Sequence, residues 1–300
     1  MMNRLIVGTE LLGGIDWGDY SIESVKEAIQ VSLDRGIKCF DTAHIYGLGQ
    51  SEKLLSEILS EKRHDVEIIT KVGLSYYASQ KGRKNIYKDL SYENILKQTV
   101  KSIKNLRVDN IPVLLAHWPD KKIDTNNVMV NLKKLKNLGY AKKIGLSNFD
   151  IEQVCNLPTS LLPDYYQGPL NLLDLSKITL YESLIKLGVK VITYSPLAQG
   201  MLTGKYNRKS KFLNNDRRFR LSHFQENLNL SLKKLEFIKN ASNNEGISLT
   251  SYAINSLLKI NKEIKIIIGI KNKAQLIEII NNISLDIDDE NLKKLIIKLT

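Results

Sequence analysis

One local pattern occurs three times in this chain and limits the folds that it can adopt. A run with helical periodicity ends in glycine, and a short strand-like run follows at once. The glycines are Gly36, Gly139 and Gly188, and the runs after them begin IKCFDT, YAKKIGLS and VKVITYS. Glycine suits the left-handed residue that closes a helix, and Val/Ile-rich runs suit strands buried on both faces. The pattern predicts alternating helices and parallel strands.

Further apolar runs extend this alternation along the whole chain. We predict eight strands, near residues 5–8, 37–40, 66–71, 111–116, 141–146, 164–167, 189–194 and 264–268. Their spacing of about 25 to 35 residues is that of strand–helix units, and eight such units form a (β/α)8 TIM barrel of the α/β class. The alternative is a doubly wound parallel sheet, but GTELLGG follows the first strand where GxGxxG would be expected. We expect a single domain over residues 1–300.

The composition of the chain limits the kinds of partner that we expect it to bind. The two cysteines, Cys39 and Cys155, show no metal-ligand spacing, and no run of 18 apolar residues or secretory signal is present. We therefore expect a cytoplasmic protein with no metal and no membrane partner. The net charge of +12 permits a nucleic-acid partner. The lysines are scattered along helical segments without interleaved aromatic residues, so we expect no nucleic-acid binding. The sequence leaves the oligomeric state open.

The carboxyl ends of the predicted strands carry polar residues, and barrels of this kind place their chemistry there. Each residue alone has an ordinary interpretation as a turn, a solvated side chain or a hydrogen-bonded core group. The set comprises Asp41, Tyr46, Lys71, His117, Ser147, Asn148, Gln167, Tyr194 and Ser195.

Four of these residues form a coherent acid–base set. A lysine drawn into a pocket needs a counter-charge, which Asp41 can supply to Lys71. A charged ammonium beside a phenol favours the phenolate, so we expect the pKa of Tyr46 to lie below its free value of about 10. Tyr46 then becomes the general acid, and His117 can donate a hydrogen bond to the same substrate oxygen.

These residues lie in motifs that resemble the aldo-keto reductase family. FDTAHIYGLGQSEKLL, from Phe40 to Leu55, is similar to the family's DTAxxYGxGxSExxLG signature and departs from it only at Ser56, where glycine is usual. The resemblance continues through TK, HWPD, GLSN, YSPLAQGMLTGKY and RRFRLSHFQENL, and it spans essentially the entire chain. It is closest to bacterial members that act on sugars and small aldehydes.

The resemblance implies a catalytic tetrad of Asp41, Tyr46, Lys71 and His117, and reversible hydride transfer between a nicotinamide cofactor and an aldehyde or ketone. It implies that Ser147, Asn148 and Gln167 hold the carboxamide and that Tyr194 stacks on the nicotinamide ring. Asp41 borders the same cofactor site. The pyrophosphate would lie along Ser195, Leu197, Gly200 and Lys205.

The adenine end of the cofactor would be held by the segment after the last strand. Gly269, Lys271, Gln275 and Glu278 match the family's pattern, whereas Ile268 and Ile279 replace its usual proline and asparagine. Lys271 can pair with a 2′-phosphate, and Lys273 would add to its field, so we favour NADP(H), with NAD(H) as the alternative.

The partner that the resemblance implies is a small-molecule carbonyl substrate, with a sugar or a nucleotide-linked sugar as one class. Aromatic residues near the predicted rim can stack on such a ring or simply pack: Trp17, Tyr20, Tyr76, Tyr77 and Trp118. A regulatory module that senses a bound nucleotide on the same fold, as potassium-channel β subunits do, is the alternative function.

Overall fold

A closed barrel of eight parallel strands forms the centre of the molecule. The structure is a computed structural model that describes residues 1–77 and 86–300. The barrel strands span Leu5–Gly8 (β1), Cys39–Asp41 (β2), Glu67–Val72 (β3), Ile111–Ala116 (β6), Ala141–Ser147 (β7), Tyr165–Pro169 (β8), Lys190–Tyr194 (β9) and Lys265–Gly269 (β10). Around the barrel they follow the order β1, β10, β9, β8, β7, β6, β3 and β2. The predicted (β/α)8 architecture is confirmed, and every predicted strand boundary lies within two residues of the observed one.

Helices cover the outside of this barrel. They span Ile22–Asp34 (α1), Gln50–Leu59 (α2), Tyr92–Leu106 (α3), Thr125–Asn137 (α4), Ile151–Cys155 (α5), Ile178–Lys186 (α6), Leu228–Asn244 (α7), Leu249–Ile260 (α8), Lys273–Asn282 (α9) and Asp289–Leu299 (α10). Several begin at a Ser, Asp or Asn whose side chain accepts a hydrogen bond from the third helical residue, as Ser91 does from Asn94. The described residues include no helix with the length and apolarity needed to span a membrane.

The three glycines of the repeated pattern lie where helices turn back into strands. Gly36, Gly139 and Gly188 have φ angles of 85°, 81° and 83°. A side chain at these left-handed positions would strain the backbone, which explains why glycine ends each of these helical runs.

Alternation along the strands separates the barrel interior from the layer beneath the helices. Ile69 belongs to the interior cluster, whereas Ile68 and Val72 belong to the cluster between strands and helices. Because neighbouring residues in a strand point to opposite faces, Thr70 faces the helices and Lys71 faces the interior. Gly145 of β7 faces the interior beside Leu115, where a Cβ atom would overlap the backbone of Tyr165.

The predicted pattern lacked one hairpin, and it included the long segment between β9 and the next helix only as an irregular region. A two-stranded antiparallel hairpin follows β3, formed by Leu74–Tyr76 (β4) and Ile86–Lys88 (β5). The long segment after β9, residues 197–224, contains short 3-10 turns at Ala198–Thr203, Arg217–Arg220 and Ser222–Phe224. Both features lie on connections that follow the carboxyl ends of barrel strands, where barrels place their functional residues.

Candidate active site

The adjacent strands β2 and β3 bring a carboxylate and an ammonium together inside the barrel. Lys71 Nζ lies 2.6 Å from Asp41 Oδ1 and donates a second hydrogen bond to the carbonyl of Thr42 at 2.9 Å. Gln167 Nε2 donates to the other carboxylate oxygen of Asp41 at 2.8 Å. Burial raises the pKa of Asp41, and the Lys71 ammonium and the two side-chain hydrogen bonds oppose that rise. Both oxygens of this buried carboxylate therefore have a donor.

The loop after β2 carries Tyr46 to the same ammonium. Lys71 Nζ lies 5.2 Å from the centre of the Tyr46 ring. The loop continues the pairing of β2 with β3, because Thr42 N donates to Ile69 O at 2.8 Å and His44 N donates to Lys71 O at 3.1 Å. The backbone hydrogen bonds of the loop thus fix where the phenol stands relative to Lys71.

His117 completes this group from the end of β6. Its backbone N–H donates to Val72 O at 2.9 Å, which continues the β3–β6 pairing past the last residue of the strand. Its ring meets Tyr46 edge-on, with ring centres 5.8 Å apart and an interplanar angle of 80°. The structure brings Asp41, Tyr46, Lys71 and His117 together at the carboxyl end of the barrel.

The residues expected at the carboxamide and nicotinamide form a connected network beside this group. Asn148 Nδ2 donates to Ser147 Oγ and to His117 O, both at 3.0 Å. Tyr194 donates its hydroxyl hydrogen to Asn148 Oδ1 at 2.6 Å. Asn148 has a φ of 65°, so its backbone is in the left-handed region where asparagine is better tolerated than most residues. The Asn148 backbone N–H donates to Gln167 O at 3.0 Å, and the Gln167 side chain joins this network to Asp41.

A tight turn after β9 carries the residues expected along a pyrophosphate. Ser195 and Gly200 have φ angles of 60° and 98°. Ser195 Oγ accepts a hydrogen bond from Gln199 at 2.6 Å, and Leu197 O accepts one from Gly200 N at 2.9 Å. Lys205 is exposed just beyond the turn.

Lys271 stands within a group of positive charges at the end of β10. Burial lowers the pKa of Lys271, as do the charges of Arg218 and Lys205, while Asp216 opposes them. Lys271 Nζ donates to Trp17 O at 3.1 Å and lies 5.4 Å from the centre of the Tyr20 ring. Arg218 also forms an ion pair with Asp216, so part of the positive charge beside Lys271 is balanced within the protein.

The other residues expected at the adenine end lie in local contacts. Gln275 Oε1 accepts a hydrogen bond from the Lys271 backbone at 2.9 Å, and Glu278 accepts one from Ser248 at 3.0 Å. Lys273 forms an ion pair with Glu27 of α1 at 3.5 Å. Because this exposed side chain pairs with a carboxylate on a neighbouring helix, we now expect Lys273 to add little to the field of Lys271.

The predicted aromatic residues divide into two sets. Trp17 stacks under the Arg217 guanidinium at 4.4 Å, and Tyr20 donates its hydroxyl hydrogen to Leu11 O at 2.5 Å. On the hairpin side, Tyr76 packs against the same small buried cluster as Tyr46, and the exposed Tyr77 contacts Tyr87 with ring centres 4.7 Å apart. The exposed Trp118 lies 5.4 Å beneath Lys88 Nζ.

Sequence reasoning missed a set of ion pairs that joins the loop after β1 to the segment after β9. Arg217 forms a two-pronged ion pair with Glu10, and Arg220 lies 3.1 Å from Asp16. Trp17 and Asp216 also form an isolated antiparallel bridge. The motif RRFR at residues 217–220 was the available signal, but the sequence does not show which distant carboxylates these arginines meet.

The profile of the Aldo/keto reductase family matches residues 4–298 of this chain. The chain belongs to that family. It is similar to the aldo-keto reductase YhdN of Bacillus subtilis, with 30% identity over 237 residues that cover 75% of this chain and 69% of the relative. It is also similar to the NADH-specific methylglyoxal reductase of Escherichia coli, with 29% identity over 222 residues that cover 69% of this chain and 67% of the relative.

A solved structure agrees with this assignment. The glycerol dehydrogenase of Gluconobacter oxydans superposes with a TM-score of 0.84 at 27% identity, over 99% of this chain and 90% of that one. This aldo-keto reductase is therefore an oxidoreductase of a family that acts on small carbonyl compounds and uses nicotinamide cofactors.

The buried ion pair leads to a stability prediction. Lys71→Met leaves the Asp41 carboxylate buried without a counter-ion, which should lower the free energy of unfolding by about 3–5 kcal/mol. Without the ammonium, the pKa of folded Asp41 rises further above its unfolded value of about 3.9, so the folded state binds the proton more tightly. Stability from that proton is present at low pH and is lost as pH rises through the folded pKa. In urea unfolding, the loss of unfolding free energy in Lys71→Met relative to the unchanged protein should therefore be smaller at about pH 5 than at about pH 8.

The matched control for this prediction is Lys143→Met. Lys143 pairs with Asp164 at 3.4 Å, but its side chain is 50% exposed, so its loss should cost at most about 1 kcal/mol. Equal deficits in the two variants at both pH values would contradict the assigned role of the Lys71–Asp41 pair.

Proposed function

We propose that this aldo-keto reductase is an NADP(H)-dependent carbonyl reductase that converts an aldehyde or ketone to an alcohol, with Tyr46 as the general acid. The observation that carries the proposal is the position of Lys71, which bridges the Asp41 carboxylate at 2.6 Å and the Tyr46 ring at 5.2 Å. A phenol beside a buried ammonium is a suitable proton donor near neutral pH.

Each member of the tetrad has a distinct role in this proposal. Tyr46 holds a proton on its hydroxyl and gives it to the substrate oxygen, while the Lys71 ammonium stabilises the phenolate that remains. Asp41 keeps Lys71 charged and oriented. His117, edge-on to Tyr46, orients the same oxygen by a hydrogen bond. A bound nicotinamide cofactor supplies the hydride that makes the reaction a reduction.

The residues present fit such a cofactor. Gly269, at the end of β10, is exposed and has no atom within 4 Å of the position that a Cβ would occupy. A phosphate group can therefore approach the backbone there, beside Lys271, Arg218 and Lys205. At the other end, Asn148, Ser147 and Gln167 place amide and hydroxyl groups beside the tetrad for a carboxamide.

The cationic group favours the phosphorylated form of the cofactor. Arg218 already pairs with Asp216, whereas a 2′-phosphate would give Lys271 and the nearby Lys205 a counter-charge. Family membership does not decide this choice, since one relative is named as NADH-specific. NAD(H) is therefore the alternative, and the binding test must distinguish it from NADP(H).

A small polar carbonyl compound, including a sugar, is the substrate class that we favour. The relatives named for a substrate act on methylglyoxal and glycerol. On the hairpin side of the site, the exposed rings of Trp118 and Tyr77 contact Lys88 and Tyr87 on one face, so a sugar ring would stack on the other face.

Replacement of Tyr46 tests its proposed role as the general acid. Tyr46→Phe removes the hydroxyl and keeps the ring, so NADPH-dependent turnover should fall at least about 1,000-fold while the Kd for NADPH changes less than about threefold. Turnover is followed by NADPH absorbance across a panel of aldehydes and ketones, and binding by calorimetry. Retained turnover in the variant would contradict the role of Tyr46. Tight binding without turnover in the unchanged protein, across the panel, would instead support a nucleotide-sensing module.

Thermal stabilisation by NADPH and by NADH tests which cofactor the protein prefers. NADPH at about 100 times its Kd should stabilise the fold by about 2.7 kcal/mol and raise the melting temperature visibly. Lys271→Met should reduce the shift caused by NADPH and leave the shift caused by NADH nearly unchanged. Lys273→Met is the control, because Lys273 pairs with Glu27, and it should change neither shift. Equal shifts from both cofactors in the unchanged protein would argue against a lysine that reads the 2′-phosphate.

A further inference from the structure

A second charged group lies directly behind the tetrad, on the opposite side of the barrel wall. Glu52, in the first turn of α2, has a fully buried side chain. Its Oε1 accepts a hydrogen bond from Thr70 Oγ1 at 2.7 Å, and its Oε2 accepts one from Asn105 Nδ2 at 2.9 Å. His44 Nδ1 lies 3.8 Å from the same Oε2. The tetrad does not include any member of this network.

The network touches both elements that carry the proposed acid and its ammonium. Thr70 immediately precedes Lys71 on β3, and because the two side chains point to opposite faces, Glu52 holds the outer face of the strand whose inner face carries Lys71. His44 lies two residues before Tyr46 in the loop after β2, and its backbone N–H donates to Lys71 O at 3.1 Å. One carboxylate thereby contacts both the strand of Lys71 and the loop of Tyr46.

The backbone around Glu52 is shaped to admit its partner from α3. Gly49 has a φ of 92°, and a Cβ there would overlap the Asn105 amide nitrogen and lie 3.6 Å from Glu52 Oε2. Any larger residue would push Asn105 away from the carboxylate. The neighbouring Ser51 adds a parallel tie, since its hydroxyl contacts Thr42 Oγ1 at 3.0 Å and donates to Thr9 O at 2.8 Å.

The chemistry of the network suits an ionised carboxylate. Burial raises the pKa of Glu52, but the polar side chains that face it, His44, Asn105, Ser102 and Thr70, outweigh burial and hold the pKa below its usual range. Of these four, Thr70 and Asn105 lie within hydrogen-bond distance of the carboxylate. An ionised carboxylate is an acceptor on both oxygens, so it can hold donors from the strand and from α3 at once, with the His44 ring of the loop 3.8 Å away.

We propose that Glu52 is a positioning residue for the reaction: its buried carboxylate holds the strand end that bears Lys71 against the loop that bears Tyr46. The proposal rests on the proposed function of Tyr46 as the acid. Loss of the tie lets the loop shift relative to the strand, and displacements of about 1 Å in a catalytic group can cost about 100-fold in rate.

The test compares variants that alter single hydrogen bonds of the network. Glu52→Gln removes the charge and leaves one acceptor oxygen, and Thr70→Val removes the hydroxyl while keeping the shape. In both, kcat should fall at least about 10-fold, KM for the carbonyl substrate and Kd for NADPH should change less than about threefold, and the apparent acid pKa of the kcat profile should rise. Thr70→Ser restores the hydroxyl and should recover most of kcat.

The control is Thr99→Val on α3. Thr99 is also buried, but its hydroxyl donates to the Ile95 carbonyl of its own helix at 2.7 Å, outside the network. It should lower thermal stability to an extent similar to Thr70→Val and leave kcat and its pH profile unchanged. If Glu52→Gln does not fold, Thr70→Val against Thr70→Ser decides the question.

The outcomes separate this inference from the proposed function. If Tyr46→Phe is inactive while Glu52→Gln and Thr70→Val show normal kcat and an unshifted pH profile, Glu52 has no positioning role and Tyr46 remains the acid. If Tyr46→Phe keeps its turnover, the proposed function fails first. Equal loss of kcat in Thr70→Val and Thr99→Val would also overturn the inference, because it would reflect general destabilisation.

Discussion

The ion pair between Asp41 and Lys71 is the interaction on which the arrangement of the site depends. Among the lysines that the structure describes, Lys71 alone is buried. It lies above apolar interior side chains such as Ile69 and Leu115. A charge in that position needs a partner, and the adjacency of β2 and β3 supplies Asp41 without any loop having to fold inward. The barrel strands thus supply the buried ion pair, and the loop after β2 supplies the phenol of Tyr46.

Two sets of polar contacts support this centre from opposite directions. Behind the wall, Glu52 contacts the strand of Lys71 and the loop of Tyr46. Beside the rim, the ion pairs of Arg217 and Arg220 join the loop after β1 to the segment after β9, next to the cationic group of Lys271. The first set orders the reacting groups, and the second encloses the proposed cofactor site. In both sets, the residues that interact come from different segments of the chain.

Much of the fold was readable from the sequence because buried parallel strands are continuous apolar runs, and glycine marks the helix ends that precede several of them. The polar residues at strand ends followed directly, since the carboxyl ends of the strands share one rim. The hairpin β4–β5 was missed because β4 begins only two residues after β3 ends, so no turn-rich run separates the two strands in the sequence. The ion pair of Glu10 with Arg217 joins residues 207 positions apart, and Lys273 takes Glu27 as its partner. Such choices depend on which surfaces the folded chain brings together, and no local pattern encodes them.

Direct titration of the Tyr46 phenol tests the central claim, that an ammonium neutralised by a buried carboxylate makes this hydroxyl acidic. The protein carries 13 tyrosines, so carbon-13 at the ring carbon bearing the hydroxyl would be introduced throughout and the Tyr46 signal assigned by its loss in Tyr46→Phe. We predict that Tyr46 titrates below the value of about 10 for a free phenol, and that this pKa rises when Lys71 is replaced by methionine. A Tyr46 signal that titrates at or above about 10 and is unmoved by that replacement would contradict the account.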